Sequence, residues 1–391
     1  MLNFPSYAEK CLNKIKENGF EAYFVGGCVR DALIGREYDD VDITTNATPD
    51  QIVSIFEHTV PTGIAHGTVT VIIDGRNIEV TTYRTEKGYS DSRHPDSVNF
   101  VSNLKEDLSR RDFTINALAF DPEKEIVDLF DGIEDLNNGV IRAVGDPMVR
   151  FTEDALRILR AFRFSSVLGM RIEKETKEAA FKLAHTVKKV SGERILSELT
   201  KLVSGNISKD IADFINAGAL KAFGILYLNY DPKVLAALSS SNFDIIEKIA
   251  IFLSLTEHDS KQIKSALKPS ANLTSLLDFY DRVGLSEINI SSRQDLKLAL
   301  KSHSKRLILA YLNRLSLYDS SRSKKALENI SDIEQSGEPY TLEDLCINGN
   351  DLIALGIKGM DIGHKLNQAL ELVIKDPSLN TKEKLMKILF S

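Results

Sequence analysis

The chain has 391 residues, of which 43% are hydrophobic and 27% charged, and a net charge of −7 at pH 7. Its length predicts more than one domain, and its composition is that of an ordinary globular protein. No apolar run is long enough to span a bilayer, the N-terminus lacks the pattern of a secretion signal, and the three cysteines exclude a disulfide framework or a CxxC metal pair. The acidic charge disfavours broad nonspecific binding of DNA. We therefore expect a cytoplasmic protein with no membrane partner.

The first part of the chain predicts alternating helices and strands. Residues 7–20 repeat apolar positions at helical spacing, AYFVGG predicts a short strand ending in glycines, and CVRDALIG predicts a helix closed by Gly35. VDIT predicts a second strand, and Pro49 opens a further helix. The segment HGTVTVIIDGRNIEVTTYR predicts a β-hairpin that turns at Asp74-Gly75.

Two carboxylates stand at the second predicted strand. Residues i and i+2 of a strand face the same side, so Asp40 and Asp42 would point together while Val41 and Ile43 face the core. Carboxylates so close repel each other unless a cation lies between them. Mg²⁺ suits such a pair, because it keeps water and substrate phosphates as its other ligands. A pattern of this kind on its own is more often a solvated acidic turn.

The residues around this pair favour a functional role. Gly26 and Gly27 lie between a strand and a helix, where backbone N–H groups can approach an anion, although a tight turn explains them equally well. Arg30 would add a bidentate phosphate contact. Glu79 stands in mid-strand and is either a third catalytic carboxylate or an exposed residue of the hairpin. Three carboxylates binding two metals would activate a hydroxyl and stabilise a leaving pyrophosphate.

From about residue 153 onward, the chain predicts one helix after another. The segment RFTEDALRILRAFRF predicts a single helix with one apolar stripe, in which Asp154 and Arg157 are neighbours at i and i+3. An ordinary ion pair within the helix would explain them, but Leu156 and Phe164 also fall on the charged side. We therefore expect a buried helix whose arginines need anionic or polar partners.

Several segments together carry a family resemblance. GGCVRD, the DVD of residues 40–42, HGTVTV, EVTTYR, RRDFTINA and RFTEDALRILRAFRF resemble a bacterial-type (class II) CCA-adding tRNA nucleotidyltransferase. That family belongs, with bacterial poly(A) polymerases, to the polymerase-beta-like nucleotidyltransferase superfamily. The resemblance is dense over about the first 200 residues, and INGNDLIALGIKGMDIGHKLNQALELV resembles the family's tail. The middle of the chain carries no such resemblance.

The resemblance implies an α+β fold, with a small mixed α/β nucleotidyltransferase head followed by an elongated all-α neck, body and tail. The catalytic head would cover residues 1–147 and a helical neck that recognises the nucleotide base would cover residues 148–210. A helical body would follow over residues 211–335, and a helical tail over residues 336–391 would contact tRNA. The implied protein is a monomer or a homodimer.

The resemblance also implies a reaction and the residues that perform it. The enzyme would add CCA to tRNA 3′ ends from CTP and ATP without a template, would depend on Mg²⁺ and would release pyrophosphate. Asp40 and Asp42 would hold Mg²⁺, and Glu79 would be a third catalytic carboxylate. The nucleotide would be bound by Gly27 and Arg30 at the triphosphate, Arg111 and Asp112 at the phosphate or sugar, Asp154 and Arg157 at the base, and Arg160 and Arg163 as supporting groups.

Base recognition of this kind makes chemical sense. Cytosine and adenine each present an amino donor beside a ring-nitrogen acceptor, which a carboxylate and a guanidinium complement. Uracil and guanine present the reverse pattern. A bidentate contact typically discriminates by about 1–3 kcal/mol, and the unpaired buried groups left by the wrong base add to the penalty. Asp154 and Arg157 would therefore accept CTP and ATP without a template.

Other functions remain to be weighed. An A-adding-only enzyme, a CC-adding-only enzyme and a poly(A) polymerase belong to the same superfamily. Residues 83–104 resemble the flexible loop of full CCA enzymes without an obvious deletion, which disfavours a CC-adding enzyme; the tail and the acidic charge disfavour a poly(A) polymerase. A metal-dependent hydrolase would use the dipeptide His258-Asp259, which we instead interpret as a loop at the start of a helix. A noncatalytic RNA-binding protein would require dispensable carboxylates.

The tail carries a candidate RNA-binding turn with two lysines. The tail segment GIKGMDIGHK has glycines at a predicted turn between helices, where backbone amides, Lys358 and Lys365 would hold an RNA phosphate. A plain corner between helices explains the glycines equally well.

At the end of the head, Arg110 and Arg111 precede Asp112, which resembles a helix N-cap.

Overall fold

The computed structural model describes residues 2–87, 97–285 and 287–390. The chain forms two compact units, Met1–Tyr230 with Lys261–Lys268 and Asp231–Ser260 with Pro269–Ser391. Across the described residues, the structure contains no helix of the length and apolar character needed to cross a membrane.

The strands are concentrated in the first unit. In chain order they are β1 (Ala22–Val25), β2 (Asp42–Thr45), β3 (Thr59–Gly63), β4 (Thr68–Ile73), β5 (Arg76–Thr82), β6 (Arg84–Lys87), β7 (Ser97–Phe100), β8 (Leu118–Asp121), β9 (Glu125–Asp128), β10 (Val140–Ile141), β11 (Arg171–Ile172), β12 (Ile225–Leu228) and, in the second unit, β13 (Thr256–His258). Seven of them form one mixed sheet in the order β3-β4-β5-β2-β1-β8-β9. Strands β2 and β5 run parallel, and the other neighbours in this sheet run antiparallel.

Helices make up most of the remaining structure. They are α1 (Ser6–Glu17), α2 (Gly27–Leu33), α3 (Pro49–Ile55), α4 (Leu104–Ser109), α5 (Gly132–Asn137), α6 (Pro147–Glu153), α7 (Leu156–Leu168), α8 (Lys174–Lys182), α9 (Gly192–Leu202), α10 (Lys209–Asn216), α11 (Pro232–Ser240), α12 (Ile245–Ser254), α13 (Ser260–Leu267), α14 (Ala271–Arg282), α15 (Arg293–Ser302), α16 (Lys305–Ser316), α17 (Ser320–Gln335), α18 (Gly349–Ile353), α19 (Met360–Lys375) and α20 (Lys382–Phe390). A mixed α/β head followed by helices agrees with the predicted fold class.

The two faces of the large sheet have different roles. One face carries the larger core, in which Ile43 and Val80 are buried together with the apolar side of α1. Because successive side chains alternate across a strand, Asp42 and Glu79 lie on the opposite face. A smaller apolar cluster that includes Val25 covers part of that second face. The sheet therefore separates a dry core from a face that carries carboxylates.

Local signals in the sequence predict this head well. The hairpin of β4 and β5 pairs Ile73 with Arg76, and its turn residues Asp74 and Gly75 have φ angles of 52° and 73°. Two positive φ angles are the geometry that Asp-Gly favours in a two-residue hairpin turn. Pro49 is the first residue of α3, after a Thr48 side chain that caps the helix. The predicted hairpin and helix start are confirmed.

The segment RFTEDALRILRAFRF forms two helices, and the prediction of one continuous helix is wrong. Helix α6 ends at Glu153 and α7 begins at Leu156, because Asp154 adopts an extended conformation with φ −137° and ψ 105°. The Asp154 carboxylate accepts a hydrogen bond of 2.9 Å from the Leu156 backbone N–H. Helix α7 is buried on most sides, as expected, and it packs on α9.

The second unit consists almost entirely of helices. Its core contains Phe252, Phe279 and Tyr311, which are fully buried, and α19 and α20 enclose a smaller apolar cluster. His258 is the last residue of β13 and Asp259 alone separates it from α13, so a helix does begin here, but His258 lies in a strand and not in the predicted loop. Its ring lies 2.9 Å from the Thr256 carbonyl and 2.9 Å from the Asp281 carboxylate. These contacts account for His258 as a structural residue.

The glycine turn of the tail is present between α18 and α19. Gly356 and Gly359 have φ angles of 88° and 60°, a region that glycine enters without strain. Lys358 is exposed in this turn. Lys365 instead donates a hydrogen bond of 2.6 Å to the Leu389 carbonyl, which ties it to the C-terminal helix. Of the two lysines, Lys358 is therefore the exposed one, and Lys365 is engaged within the tail.

Candidate functional site

A cavity of about 450 Å³ lies where β1 and β2 meet α2 and α7. Charged groups of both signs line this cavity. The predicted site residues in its lining are Gly27, Arg30, Asp40, Asp42, Arg111, Asp112, Arg160 and Arg163. A second cavity of about 230 Å³ contains Asp154 and Arg157. The two cavities share Arg111, Asp112 and Arg160 and are therefore adjacent. The structure thus brings together ten predicted site residues, whereas Glu79 lines neither cavity.

Gly26 allows a close approach between charged groups at the bottom of the first cavity. Its φ angle of 78° suits glycine, and it immediately precedes α2. A Cβ atom at this position would lie 3.0 Å from Nη1 of Arg111 and 3.9 Å from Oδ2 of Asp42. A side chain here would therefore intrude between a guanidinium and a carboxylate of the site.

The surroundings of Asp42 alter its ionisation. Asp42 begins β2 and stands beside Glu79 in the parallel register with β5, while Asp40 lies exposed just before the strand. The pKa of Asp42 is raised to about 6. Burial is the largest cause, the charge of Arg111 opposes it, and repulsion from Glu79 and Asp40 adds to it. Carboxylates that repel in this way form a donor set suited to a hard cation.

A metal ion at this position would need ligands beyond the protein. In residues 2–87, 97–285 and 287–390, no group of three or more His, Cys, Asp or Glu side chains is arranged to hold a metal. Asp40 and Asp42 would supply two carboxylates, leaving the remaining positions to water and phosphate oxygens. This incomplete donor set fits Mg²⁺, which is usually bound by one or two carboxylates together with substrate phosphates.

Asp107 organises the two arginines that precede Asp112. Its buried carboxylate accepts hydrogen bonds from Arg110 at 3.0 and 2.7 Å, from Arg111 at 3.4 Å and from the Thr44 hydroxyl at 3.0 Å. Burial on its own would raise the pKa of Asp107, but the charges of Arg110 and Arg111 outweigh it, and the pKa is lowered. Asp107 is not among the predicted site residues, although its spacing of three and four residues from the arginines is a usable helical signal.

Arg111 retains an unused donor in the site. Its Nε atom is buried and makes no hydrogen bond within the part of the chain that the structure describes. A buried donor without a partner is costly, and a bound anion would relieve that cost. Because Arg111 lines both cavities, such an anion would lie at their junction.

Asp112 pairs with a distant arginine, and its predicted resemblance to a helix N-cap is wrong. Its carboxylate accepts hydrogen bonds from the Asn116 amide at 3.0 Å and from Arg160 Nε at 2.7 Å. The short 3₁₀ turn that follows has Phe113 at its cap position and no side-chain cap. Burial on its own would raise the pKa of Asp112, but Arg160 and Asn116 lower it strongly.

A hydrogen-bonded network extends from Asp112 through the first cavity. Arg30 donates to Asn116 at 2.6 Å and to both carboxylate oxygens of Asp31, at 2.9 and 2.7 Å. Glu198, on α9, accepts from Arg163 Nε at 3.0 Å and lies 3.9 Å from Arg160. These contacts answer the requirement that the buried arginines have anionic partners. Asp31 and Asn116 lie in the segments GGCVRD and RRDFTINA, whereas Glu198 lies outside the quoted segments and its partner Arg163 is 35 residues away.

Asp154 and Arg157 face the same cavity but do not pair with each other, so the alternative of an ordinary i, i+3 ion pair between them does not hold. The break after α6 turns Asp154 towards Arg194, whose Nη2 lies 2.8 Å from Oδ2. Arg157 instead pairs with Glu153 at 2.7 Å and donates to the Arg110 carbonyl at 3.0 Å. A carboxylate and a guanidinium thus stand in one cavity as separately held groups.

The segment that resembles the flexible loop is described at its two ends. Strands β6 and β7 pair antiparallel from Arg84 with Phe100 to Lys87 with Ser97. Residues 88–96 of the predicted loop lie outside the described residues.

Two family models match the chain. Residues 22–142 match the poly(A) polymerase head domain, and residues 169–223 match the model described as the probable RNA and SrmB-binding site of polymerase A. The first range covers all seven strands of the large sheet and helices α2, α3, α4 and α5.

Individual proteins match over nearly the whole chain. The CCA-adding enzyme of Staphylococcus haemolyticus is 39% identical over 97% of this chain and 96% of its own length, and that of Lactobacillus helveticus is 38% identical over 97% and 95%. The crystal structure of Bacillus stearothermophilus CCA-adding enzyme in complex with CTP superposes with a TM-score of 0.80 and 30% identity, covering 98% of this chain and 96% of that one. The chain belongs to the family of CCA-adding enzymes, the tRNA nucleotidyltransferases.

Proposed function

We infer that the chain is a tRNA nucleotidyltransferase that adds CCA to tRNA 3′ ends from CTP and ATP and releases pyrophosphate. The observation that carries this conclusion is the similarity to CCA-adding enzymes over 97% of the chain. An A-adding-only enzyme, a CC-adding-only enzyme and a poly(A) polymerase are not favoured, because these relatives are full CCA-adding enzymes. The relative from Bacillus stearothermophilus was solved with CTP, one of the two proposed nucleotides.

We propose that Asp40 and Asp42 hold Mg²⁺, in keeping with the divalent-metal dependence that the family suggests. When bound, the ion would supply charge neutralisation of the triphosphate and activation of the tRNA 3′ hydroxyl. The raised pKa of Asp42 and the repulsion among the carboxylates support a cation there. Glu79 is proposed as a third catalytic carboxylate, because it stands beside Asp42 in register.

The first cavity is proposed to hold the triphosphate. The Gly27 backbone, Arg30, Arg111, Arg160 and Arg163 would bind its oxygens, since guanidinium groups form strong charge-assisted hydrogen bonds to phosphate. The unpartnered Nε of Arg111 supports this assignment.

Asp112 is proposed to serve the sugar at the junction of the two cavities. It holds Arg160 through a hydrogen bond of 2.7 Å and lines both cavities. A ribose hydroxyl placed between triphosphate and base would therefore meet this carboxylate.

The second cavity is proposed to read the base. Asp154 would accept a hydrogen bond from the amino group of cytosine or adenine. Arg157 would donate a hydrogen bond to the adjacent ring nitrogen. Arg194, which also lines this cavity, holds Asp154 through an ion pair of 2.8 Å, and Glu153 holds Arg157 through one of 2.7 Å. Uracil would place a carbonyl against the carboxylate and an N–H against the guanidinium, and both contacts would be repulsive.

The division of the chain into regions is likewise a proposal. Residues 1–147 would form the catalytic head, residues 148–210 the neck, residues 211–335 the body and residues 336–391 the tail that contacts tRNA. In the tail, the exposed Lys358 within the glycine turn would meet a backbone phosphate. The three cysteines are free thiols, which suits a reducing cytoplasm.

The test is nucleotide incorporation into a tRNA transcript that lacks its 3′ CCA. With CTP and ATP together in Mg²⁺, the transcript should gain three nucleotides; with CTP alone it should gain two. Chelation of the metal should stop incorporation, and added Mg²⁺ should restore it. A product that stops after two nucleotides in the presence of ATP would reject the full CCA reaction, and a long adenylate tail would indicate a poly(A) polymerase.

A further inference from the structure

The ring of Phe164 lies among three arginines of the first cavity. The guanidinium carbon of Arg163 is 3.5 Å from the ring centroid, that of Arg30 is 5.0 Å away and that of Arg160 is 5.3 Å away. Phe164 is 3% exposed and lines the cavity itself. An aromatic ring attracts cations to its face at these distances.

The three guanidinium groups would repel one another without shared support. Each has a carboxylate partner: Arg30 pairs with Asp31, Arg160 with Asp112 and Arg163 with Glu198. Burial and the charge of Arg160 lower the pKa of Arg163, which shows that the groups are close enough to oppose one another. These carboxylates belong to different parts of the chain, whereas the Phe164 ring is in contact with all three arginines.

We propose that Phe164 is a positioning residue for the triphosphate, whose π system keeps Arg30, Arg160 and Arg163 together in the cavity before the nucleotide binds. The inference rests on the proposed assignment of this cavity to the triphosphate. Preorganised donors bind an anion more tightly, because they do not have to be assembled against their mutual repulsion when the anion arrives. An aliphatic side chain of similar size would fill the space but would supply no negative face.

The ring is itself held firmly, as this role requires. Its edge contact with Phe113 has a centroid distance of 5.7 Å and an interplanar angle of 80°. Phe113 is fully buried and directly follows Asp112. The ring therefore connects α7 to the segment that supplies the other charged groups at the junction of the cavities.

Helix α7 also provides a matched control. Phe162 is fully buried two residues away, and its ring stacks on Phe214 with a centroid distance of 4.1 Å. Phe162→Leu therefore removes a buried aromatic ring from the same helix without touching the arginine cluster. A general loss of packing would affect both variants, whereas a role for the ring face would separate them.

The experiment compares Phe164→Leu with Phe162→Leu in the full chain. Phe164→Leu should raise KM for CTP and for ATP by about tenfold each, because the arginines serve the phosphates that both share, and the CTP-over-UTP preference should stay unchanged. The inhibition constant of inorganic triphosphate, used as a competitive inhibitor, should rise by a similar factor. Phe162→Leu should lower thermal stability without raising KM. Equal KM values in the two variants would overturn the proposal.

A graded series keeps the proposal testable if the leucine variant folds poorly. Phenylalanine at position 164 is replaced by its mono-, di- and trifluorinated analogues, which change ring shape little but progressively weaken the attraction for cations. KM for CTP should rise stepwise along the series; a constant KM in folded, active protein would refute the proposal. Failure of the unmodified chain to add CCA would instead refute the proposed function, so the two failures are distinct.

Discussion

The base-reading role of Asp154 makes a quantitative prediction for Asp154→Ala. The carboxylate is 16% exposed, accepts the Leu156 backbone N–H at 2.9 Å and pairs with Arg194 at 2.8 Å. Loss of a hydrogen bond to the backbone costs about 1 kcal/mol, and a partly exposed ion pair adds about 0.2–1 kcal/mol. We therefore expect the free energy of unfolding to fall by about 1–2 kcal/mol. The variant should still fold, because the free energy of unfolding of a native protein is about 5–15 kcal/mol.

The effect on nucleotide choice should be larger than this structural cost suggests. Removal of the carboxylate deletes the acceptor for the amino group of cytosine and relieves the repulsion of the uracil carbonyl. A bidentate base contact is typically worth about 1–3 kcal/mol, which corresponds to about 5- to 150-fold in preference. We expect the ratio of kcat/KM for CTP to that for UTP to decrease by a factor within this range. We also expect the reaction with CTP to become slower.

The assay is incorporation of competing CTP and UTP into tRNA that lacks its 3′ end. Arg194→Ala serves as the matched control, because it breaks the same ion pair while leaving the carboxylate in the cavity. The control should retain most of its preference for CTP. An unchanged CTP-over-UTP ratio in Asp154→Ala, even with a reduced rate, would refute base reading by this residue; an equal loss in both variants would assign the effect to the ion pair.

Three further perturbations test other parts of the site. Asp40→Asn or Asp42→Asn should abolish nucleotide transfer while leaving tRNA binding largely intact in a gel-shift assay, because the carboxylates are assigned to the metal; transfer at the normal rate would contradict that assignment. Gly26→Ala should raise KM for both nucleotides, since its Cβ would lie 3.0 Å from Arg111 at a φ angle of 78°; unchanged kinetics would show that the backbone relaxes at no cost. Asp107→Asn should lower the free energy of unfolding by about 3 kcal/mol at neutral pH, as expected when one partner of a buried ion pair is removed. Because the pKa of Asp107 is lowered in the folded state, its stabilisation is fully present above the ordinary carboxyl pKa of about 4 and is lost as the pH falls through the lower folded value. The variant should therefore show a weaker decline in stability under acid, measured by denaturant unfolding between pH 7 and pH 3, and an equally steep decline would refute the assignment.

The sequence by itself determined the elements of the head that depend on neighbours along the chain. Alternation placed Val41 and Ile43 in the core, Asp-Gly fixed the hairpin turn, and Pro49 marked the start of α3. Such features follow from backbone preference and side-chain period, which are visible within a few residues. The segments that carry the family resemblance therefore also marked most of the residues that line the two cavities.

Tertiary structure decided the pairing of charged side chains that are distant along the chain. Periodicity predicted one helix through Asp154, because the apolar positions stay in phase across the break, yet the chain turns there and Asp154 meets Arg194, 40 residues away. Asp112 and Arg160 are separated by 48 residues, and Arg163 and Glu198 by 35. Contacts over such separations depend on how the elements pack, and they leave no period in the sequence. Local sequence motifs thus identified the functional side chains of the site, whereas the packing of the elements determined which distant residues orient them.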